Sequence, residues 1–472
     1  MVFSSITTLF FFLPIAVCIY LLLWLIFKKH VVILNAYLCF ASLVFYWWGD
    51  TKWHNTNVIV LLIIVNYFFS YIIRTNINMH ARRISAVSAI VFDCYILARF
   101  KYPLLILSGD KLDDIIFPLG ISFIIFHCIS YIVDVYKMNV KTGDSEAVEF
   151  VNFALYVSFF PKLTQGPIVQ YNDMRPNLLS RVINLDNICD GISRFILGLS
   201  KKVLLADSFG ATLNLITNEM YIDTPTAWLS MILYGMQLYF DFSGYSDMAL
   251  GLAKIFGFDF KENFDFPYIS TSISEFWRRW HISLGEWFKK YIYIPLGGNR
   301  TGSIYVNLLI VFFLTGIWHG NTEIYIFWGM LMGVANILER TKVYIKLKEK
   351  VPGFKVIGWI YTNIIVFVGW TCFRVKDMDE FDYFVTQLKG ATYGEVTFTW
   401  RYFLSAKVIC LLLVATMGIF LFSRKRISNI VEKINTSIVF NCIKYVLILV
   451  LFYLSFITIV ANGYSPFLYF QF

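Results

Sequence analysis

Histidine is the residue type in this sequence best suited to proton transfer at neutral pH. An imidazole near its ordinary pKa of about 6.5 can take a proton from an attacking group and hand it back. Of the 6 histidines, two stand out by context. His319 closes the apolar run VNLLIVFFLTGIWHG, between Gly316, Trp318 and Gly320. An ionisable side chain at membrane depth is costly and normally faces a cavity or a substrate path, and neighbouring glycines let a backbone or a substrate come close. Local sequence leaves two readings equally open: a catalytic base, or a buried histidine bonded to a carbonyl. His281 follows Arg278-Arg279-Trp280, where a plain interfacial residue is the alternative to a second catalytic group. His127 sits mid-span beside Cys128 and reads as a packing histidine. His30, His54 and His80 fall in loops or at span ends.

Gln237, Asp241, Ser243 and Asp247 lie within the apolar run QLYFDFSGYSDMALGLAKIFGF, where carboxylates need partners or water. No Gly-x-Ser-x-Gly elbow surrounds Ser243, which argues against a serine nucleophile. Asp241 reads as an orienting group bonded to a histidine, tyrosine or arginine. Trp318, Trp280, Asn263 and Gln237 join it as residues expected to line or orient a tunnel. Walker, Rossmann and metal-ligand spacings are missing, so no metal or bound cofactor is expected. The 8 cysteines are scattered without a CxxC pair and read as small buried hydrophobes. What remains is base-assisted group transfer rather than nucleotide hydrolysis or redox work.

These residues must be positioned by membrane helices. The 472 residues are 58% hydrophobic and only 15% charged, and apolar runs of bilayer-spanning length recur from end to end. The expectation is an all-α, polytopic helical membrane protein of about eleven transmembrane helices, with interfacial and re-entrant helices. Candidate spans are 6–27, 31–48, 57–74, 84–100, 115–136, 190–206, 226–256, 303–319, 322–342, 354–373, 405–423 and 437–461. The run 226–256 is long enough for two helices or one broken one, and 190–206 could lie at the interface. The net charge of +9 comes from short basic loops rather than a nucleic-acid patch. Lys28-Lys29, Arg74 to Arg83, Lys137 with Lys141, and Arg424-Lys425-Arg426 would all face the cytoplasm if both termini are extracytoplasmic.

Two stretches depart from simple spans. Residues 149–177 are apolar but broken by Pro161, Gly166 and Pro167, as in a re-entrant element surrounded by protein. In SISEFWRRWHISLGEWFKKYIYIPL, Phe276, Trp280, Leu284 and Phe288 recur at helical spacing opposite Arg278, Arg279, Lys289 and Lys290. That pattern predicts one amphipathic helix at the cytoplasmic interface. No repeat or soluble domain interrupts the chain, so 1–472 is expected to form one membrane domain.

The block 237–320, with LYFDFSGYSDMALGLAKIFGF, ENFDFPYISTSISEFWRRWHISLGEWFKKYIYIPLGGNR and GIWHG, resembles the membrane-bound O-acyltransferase family. The similarity is to its bacterial alginate and polysaccharide O-acetylation branch, and it runs from the N-terminal spans to the terminal FLYFQF. The resemblance implies a ring of helices around a thin, water-accessible central tunnel. It implies transfer of an acyl group from a cytoplasmic thioester, acetyl-CoA, to a hydroxyl across the membrane. It makes His319 the catalytic histidine and His281 the second signature position, held by Asn or Asp in many eukaryotic members. Arg278, Arg279, Lys289 and Lys290 become candidate partners of the donor's phosphates, with interfacial snorkelling as the alternative. A sibling branch that transfers D-alanine toward teichoic acid shares related blocks, but YIPLGGNR is more like the acetylation branch.

A polysaccharide is too thick for a narrow tunnel, which moves attention to the tail 462–472. Beyond Ala461, Tyr469 could reach roughly 25 Å from the helix end. In envelope-acylation systems of this type a similar terminal motif is proposed to carry the acyl group on its tyrosine. The resemblance therefore implies Tyr469 as acyl acceptor, with an extracytoplasmic transferase of the SGNH-hydrolase kind passing the group to the polymer; an interfacial aromatic anchor is the alternative. The expected location is the cytoplasmic (inner) membrane. Two other classes stay open on the residues alone. A transporter or flippase would work after His319→Ala, and a scaffold would have no chemistry of its own.

Overall fold

The computed structural model describes residues 3–28, 30–48, 54–103, 118–138, 140, 145–423, 437–463 and 467–468, and among them every regular element is helical. Among the described residues, five helices are long and apolar enough to cross a membrane: Thr8–Ile26, Val31–Trp48, Thr56–Thr75, Phe354–Thr371 and Ile438–Ala461. Four further apolar helices are shorter: Ile121–Tyr136, Ile304–His319, Glu323–Leu338 and Ala406–Leu421. The stretch 226–256 lies on one unbroken helix, Thr224–Ile255. Its start suits a helix N-terminus, with Asp223 Oδ1 accepting from Thr226 N at 3.0 Å and Pro225 in the first turn, where its missing N–H costs nothing. Its end is set by Gly257 at φ +79°, with Phe258 N donating back to Ala253 O at 2.8 Å in a Schellman-type closure.

The described residues group into two compact units, Met1–Ile196 with Tyr245–Lys261, and Leu197–Gly244 with Glu262–Phe472. The first is held by aromatic packing and by hydrogen bonds between helices. Phe3 stacks on Tyr245 at 5.0 Å between centroids. Asn35 Nδ2 donates to Asn152 Oδ1 at 2.7 Å and to Leu178 O at 2.8 Å, and Asn66 Nδ2 donates to Asp93 Oδ1 at 2.8 Å. Such bonds satisfy polar groups where no water reaches and tie helices together. The broken segment predicted as re-entrant comprises the helix Glu146–Ser158, a 3-10 turn Phe160–Lys162 and the helix Tyr171–Leu179. Residues 152–169 are buried throughout, so protein does surround this irregular backbone.

The second unit carries a hairpin of two helices, Ile304–His319 and Glu323–Leu338. They approach closely because a Cβ on Gly316 would strike the backbone of Tyr325 and one on Gly329 would strike the carbonyl of Phe312. Gly320 lies against the Tyr325 ring in the same way. The glycines around His319 thus serve helix contact rather than substrate approach. The cysteine expectation needs correction: Cys128 and Cys372 are buried, but Cys18, Cys94, Cys410 and Cys442 are exposed. Cys18 and Cys442 lie on helices long and apolar enough to cross a membrane and Cys410 on a shorter apolar helix; such outer faces can stay apolar where lipid, not water, is their solvent.

Candidate active site

His319 is the last residue of the helix Ile304–His319, which begins with Ser303 as a side-chain cap. The position puts its ring at the hairpin end, where three aromatic rings enclose it. Trp318 lies 4.6 Å away between centroids, Trp328 4.9 Å away at 88°, and Phe373 5.0 Å away at 90°. Edge-on rings pack an imidazole without neutralising it and restrict its rotation. His319 is half-buried and opens onto a cavity of about 650 Å³.

His281 reaches the same cavity by a different device. The expected continuous amphipathic helix is instead two short helices, Ile273–Phe276 and Ile282–Phe288, broken at His281. His281 holds φ +45° and ψ 53°, a left-handed conformation that a helix cannot contain and that costs a non-glycine residue about 1–2 kcal/mol. Asn263 compensates for the break. Its Oδ1 accepts from Ser283 N at 3.1 Å and Ser283 Oγ at 2.9 Å, satisfying an N-terminal donor of the new helix. The same oxygen lies 3.2 Å from His281 Nδ1. Because a backbone N–H donates to that atom, it must be the amide oxygen, so Nδ1 carries the proton and Nε2 is the acceptor nitrogen. Burial pushes the His281 imidazole down to about 3, so it is neutral at physiological pH. The apolar face survives the break, since Phe276, Trp280, Leu284 and Phe288 are all buried.

The cavity wall also includes Leu238, Phe242, Trp277, Trp280 and Trp370, and its exposed charged lining is three cations, Arg278, Lys289 and Arg340, against one carboxylate, Glu286. Another carboxylate anchors this lining. Glu339 accepts from Ile273 N and from Ser274 N, the latter at 3.0 Å, tying the short helix to the end of the hairpin. Ser274 Oγ and Arg340 Nε meet at Asn336 Oδ1, 3.2 and 3.3 Å away. The arrangement offers a neutral imidazole with a fixed tautomer, a second imidazole in an aromatic enclosure, and a net basic exposed lining. Such an arrangement has the chemical parts for base-assisted attack on an electrophile attached to an anionic carrier.

The structure thus brings together His319, His281, Trp280, Arg278 and Lys289, with Trp318 and Asn263 holding the two histidines. It puts others elsewhere. Arg279 pairs with Asp265 at 2.6 Å and Glu275 at 3.1 Å. Lys290 lies over the ring of Tyr291, and Gln237 packs against Gly210. Asp241, expected to serve a histidine, tyrosine or arginine, instead pairs with Lys202 Nζ at 2.8 Å and accepts from Leu468 N at 3.0 Å. Tyr469 lies outside the described residues. His127 is buried in the other unit, edge-on to Tyr156 at 5.3 Å. Arg340, Asn336, Trp328 and Phe373 were not singled out from sequence. Only Arg340 left a signal there, as a charge near the end of the apolar span 322–342. Among the described residues, no group of three or more His, Cys, Asp or Glu side chains is placed to hold a metal ion.

A model of the membrane-bound O-acyltransferase family matches residues 12–376. The chain is 35% identical to the "Probable alginate O-acetylase" of Pseudomonas putida over 100% of both chains. It is 32% identical to the peptidoglycan O-acetyltransferase of Helicobacter pylori, over 80% of this chain and 78% of that one. Similarity to the teichoic acid D-alanyltransferase of Streptococcus thermophilus is 29%, over 50% of this chain and 61% of that one.

Proposed function

This chain belongs to the membrane-bound O-acyltransferase family, and we propose that it moves an acetyl group from cytoplasmic acetyl-CoA toward an extracytoplasmic polysaccharide. It is a multi-pass membrane O-acyltransferase. The observation that carries the finer reading is the joint presence of His319 and His281 on one cavity wall, with Arg278, Lys289 and Arg340 in its exposed lining. These cations suit the phosphates of a CoA thioester, while the cavity admits the slender pantetheine and acyl end. Near full-length similarity to the Pseudomonas acetylase, against partial similarity to the D-alanyltransferase, favours acetyl over D-alanyl.

In the proposed reaction His319 takes the proton of an attacking hydroxyl, and the oxygen forms a bond to the thioester carbonyl carbon. The carbonyl electrons shift to oxygen, then return as the C–S bond breaks. The CoA thiolate leaves with the proton that His319 held. His281, neutral and aimed by Asn263, orients the reacting groups through Nε2. The acceptor hydroxyl is assigned to Tyr469, from which a separate extracytoplasmic transferase of the SGNH-hydrolase kind would pass the acetyl group to the polymer. In this scheme the protein resides in the cytoplasmic membrane with both termini extracytoplasmic. Incubation with acetyl-CoA followed by mass spectrometry of the C-terminal peptide tests it. An acetyl adduct on Tyr469 that is lost in His319→Ala is expected. Thioester consumption by an active preparation with no adduct would remove Tyr469 as acceptor, and consumption unchanged in His319→Ala would remove the base.

A further inference from the structure

A buried ion pair joins Asp241, on the helix that supplies part of the cavity wall, to Lys202 on the π-helical turn Lys201–Ala206, and neither residue lines the cavity. Lys202 Nζ is 2.8 Å from Asp241 Oδ1 and 2.6 Å from Asp207 Oδ1, with the Lys202 and Asp241 side chains 2% and 1% exposed. Removing two charges from water is costly, and a buried pair of this kind is a weak source of stability. Its other contacts suggest what it is kept for. Asp241 Oδ2 accepts the backbone N–H of Leu468 at 3.0 Å. Lys202 Nζ lies 4.8 Å from the centre of the Phe467 ring, within range of a cation–π contact. Phe467 is wholly buried. Leu468 joins the apolar cluster that contains Trp280, Trp328 and Phe373, three residues of the cavity wall. Leu238 and Phe242, one turn before and one residue after Asp241, also line that cavity.

We propose that Lys202 and Asp241 form a dock for this chain's own C-terminal tail, and that the dock sets the register in which Tyr469 is offered for acylation. The inference rests on Tyr469 being the acceptor. The chemistry is reciprocal. A tail that enters an apolar environment must satisfy its backbone N–H groups, and the second oxygen of Asp241 does so at Leu468. One ammonium between two carboxylates leaves acceptor capacity over, which the tail's N–H takes up. The Phe467 ring covers the ammonium face and shields the pair. Lys202 and Asp241 are therefore positioning residues, since they touch the tail at 467 and 468 rather than the reacting atoms.

Two readouts on the full-length protein in lipid nanodiscs test the dock. Hydrogen exchange of the C-terminal peptide reads the Leu468 amide directly, and acetylation of Tyr469 from acetyl-CoA reads presentation. Asp241→Asn should speed exchange at Leu468 by roughly tenfold or more, as expected for loss of a hydrogen bond to a buried charge. Phe467→Leu alters the tail alone, spares the ion pair and its fold, and should produce the same change in direction. Phe467→Trp keeps an aromatic face and should restore protection. All variants that release Leu468 should lower Tyr469 acetylation at least tenfold. Exchange at Leu468 as fast as in an unstructured peptide, or unaffected by Phe467→Leu, overturns the dock. Full acetylation despite release overturns its role in register. Protection in the parent protein without acetylation of Tyr469 supports the dock and overturns the acceptor reading instead.

Discussion

Replacing Asn263 by alanine removes one oxygen that performs two tasks, and the cost can be worked from the contacts. Asn263 Oδ1 receives Ser283 N–H at 3.1 Å and lies 3.2 Å from His281 Nδ1. Each buried donor left without an acceptor costs about 1–3 kcal/mol. Two such donors make about 2–6 kcal/mol, whereas the Ser283 hydroxyl can turn to another partner. Freed from its acceptor, the His281 ring loses its fixed tautomer and orientation. A misplacement of that order costs roughly a hundredfold in rate when positioning matters. The assay is release of CoA thiol from acetyl-CoA, run beside a thermal unfolding curve in the same detergent. The expected outcome is a lower melting temperature and a kcat reduced roughly ten- to hundredfold, with KM for the donor less affected. Asn263→Asp should behave differently, because a carboxylate accepts the same bonds and favours imidazolium, lifting His281 from about 3. A kcat within twofold of the parent in Asn263→Ala, at unchanged stability, would refute the claim that this amide aims His281.

Further outcomes follow from the same geometry. His319→Ala should lower thioester consumption by about 10² to 10⁴-fold, the range for loss of a general base, with the unfolding temperature nearly unchanged. His281→Asn should retain more activity and stability than His281→Val, because asparagine tolerates the left-handed backbone at φ +45° and a β-branched residue does not; comparing kcat and melting temperature of the two decides it. Arg278→Ala and Lys289→Ala should raise KM for acetyl-CoA several-fold with kcat little altered, an effect that shrinks as salt rises because both side chains are exposed. As pH falls, the unfolded chain protonates His281 near its ordinary 6.5 while the folded chain does not until about 3. Stability from this group is therefore complete above about 6.5 and is lost progressively between those values. Unfolding curves from pH 7 to 4 should show a shallower decline in His281→Asn.

Much was legible in the sequence because hydrophobic runs are local. Bilayer-length apolar segments, an all-helical class, the break of the 149–177 stretch at Pro161, Gly166 and Pro167, and the apolar stripe of Phe276, Trp280, Leu284 and Phe288 all follow from residue type and spacing. Residue type alone nominated His319 and His281 only as candidates, each with a non-catalytic alternative, and it was the family resemblance that singled them out. What spacing could not determine is which of these side chains meet. A helical period continues straight through residue 281, and only a contact from Asn263, 18 positions upstream, marks the place where the helix stops and the histidine turns inward. Asp241 looked equally ready to serve a histidine. Its pairing with Lys202, and its direct bond from the Leu468 N–H at a separation of 227 residues, are long-range facts that no local pattern encodes. Burial energy is largely local in its demand and can be read from composition. Hydrogen bonds and ion pairs are specific to partners, and partners are chosen by the fold.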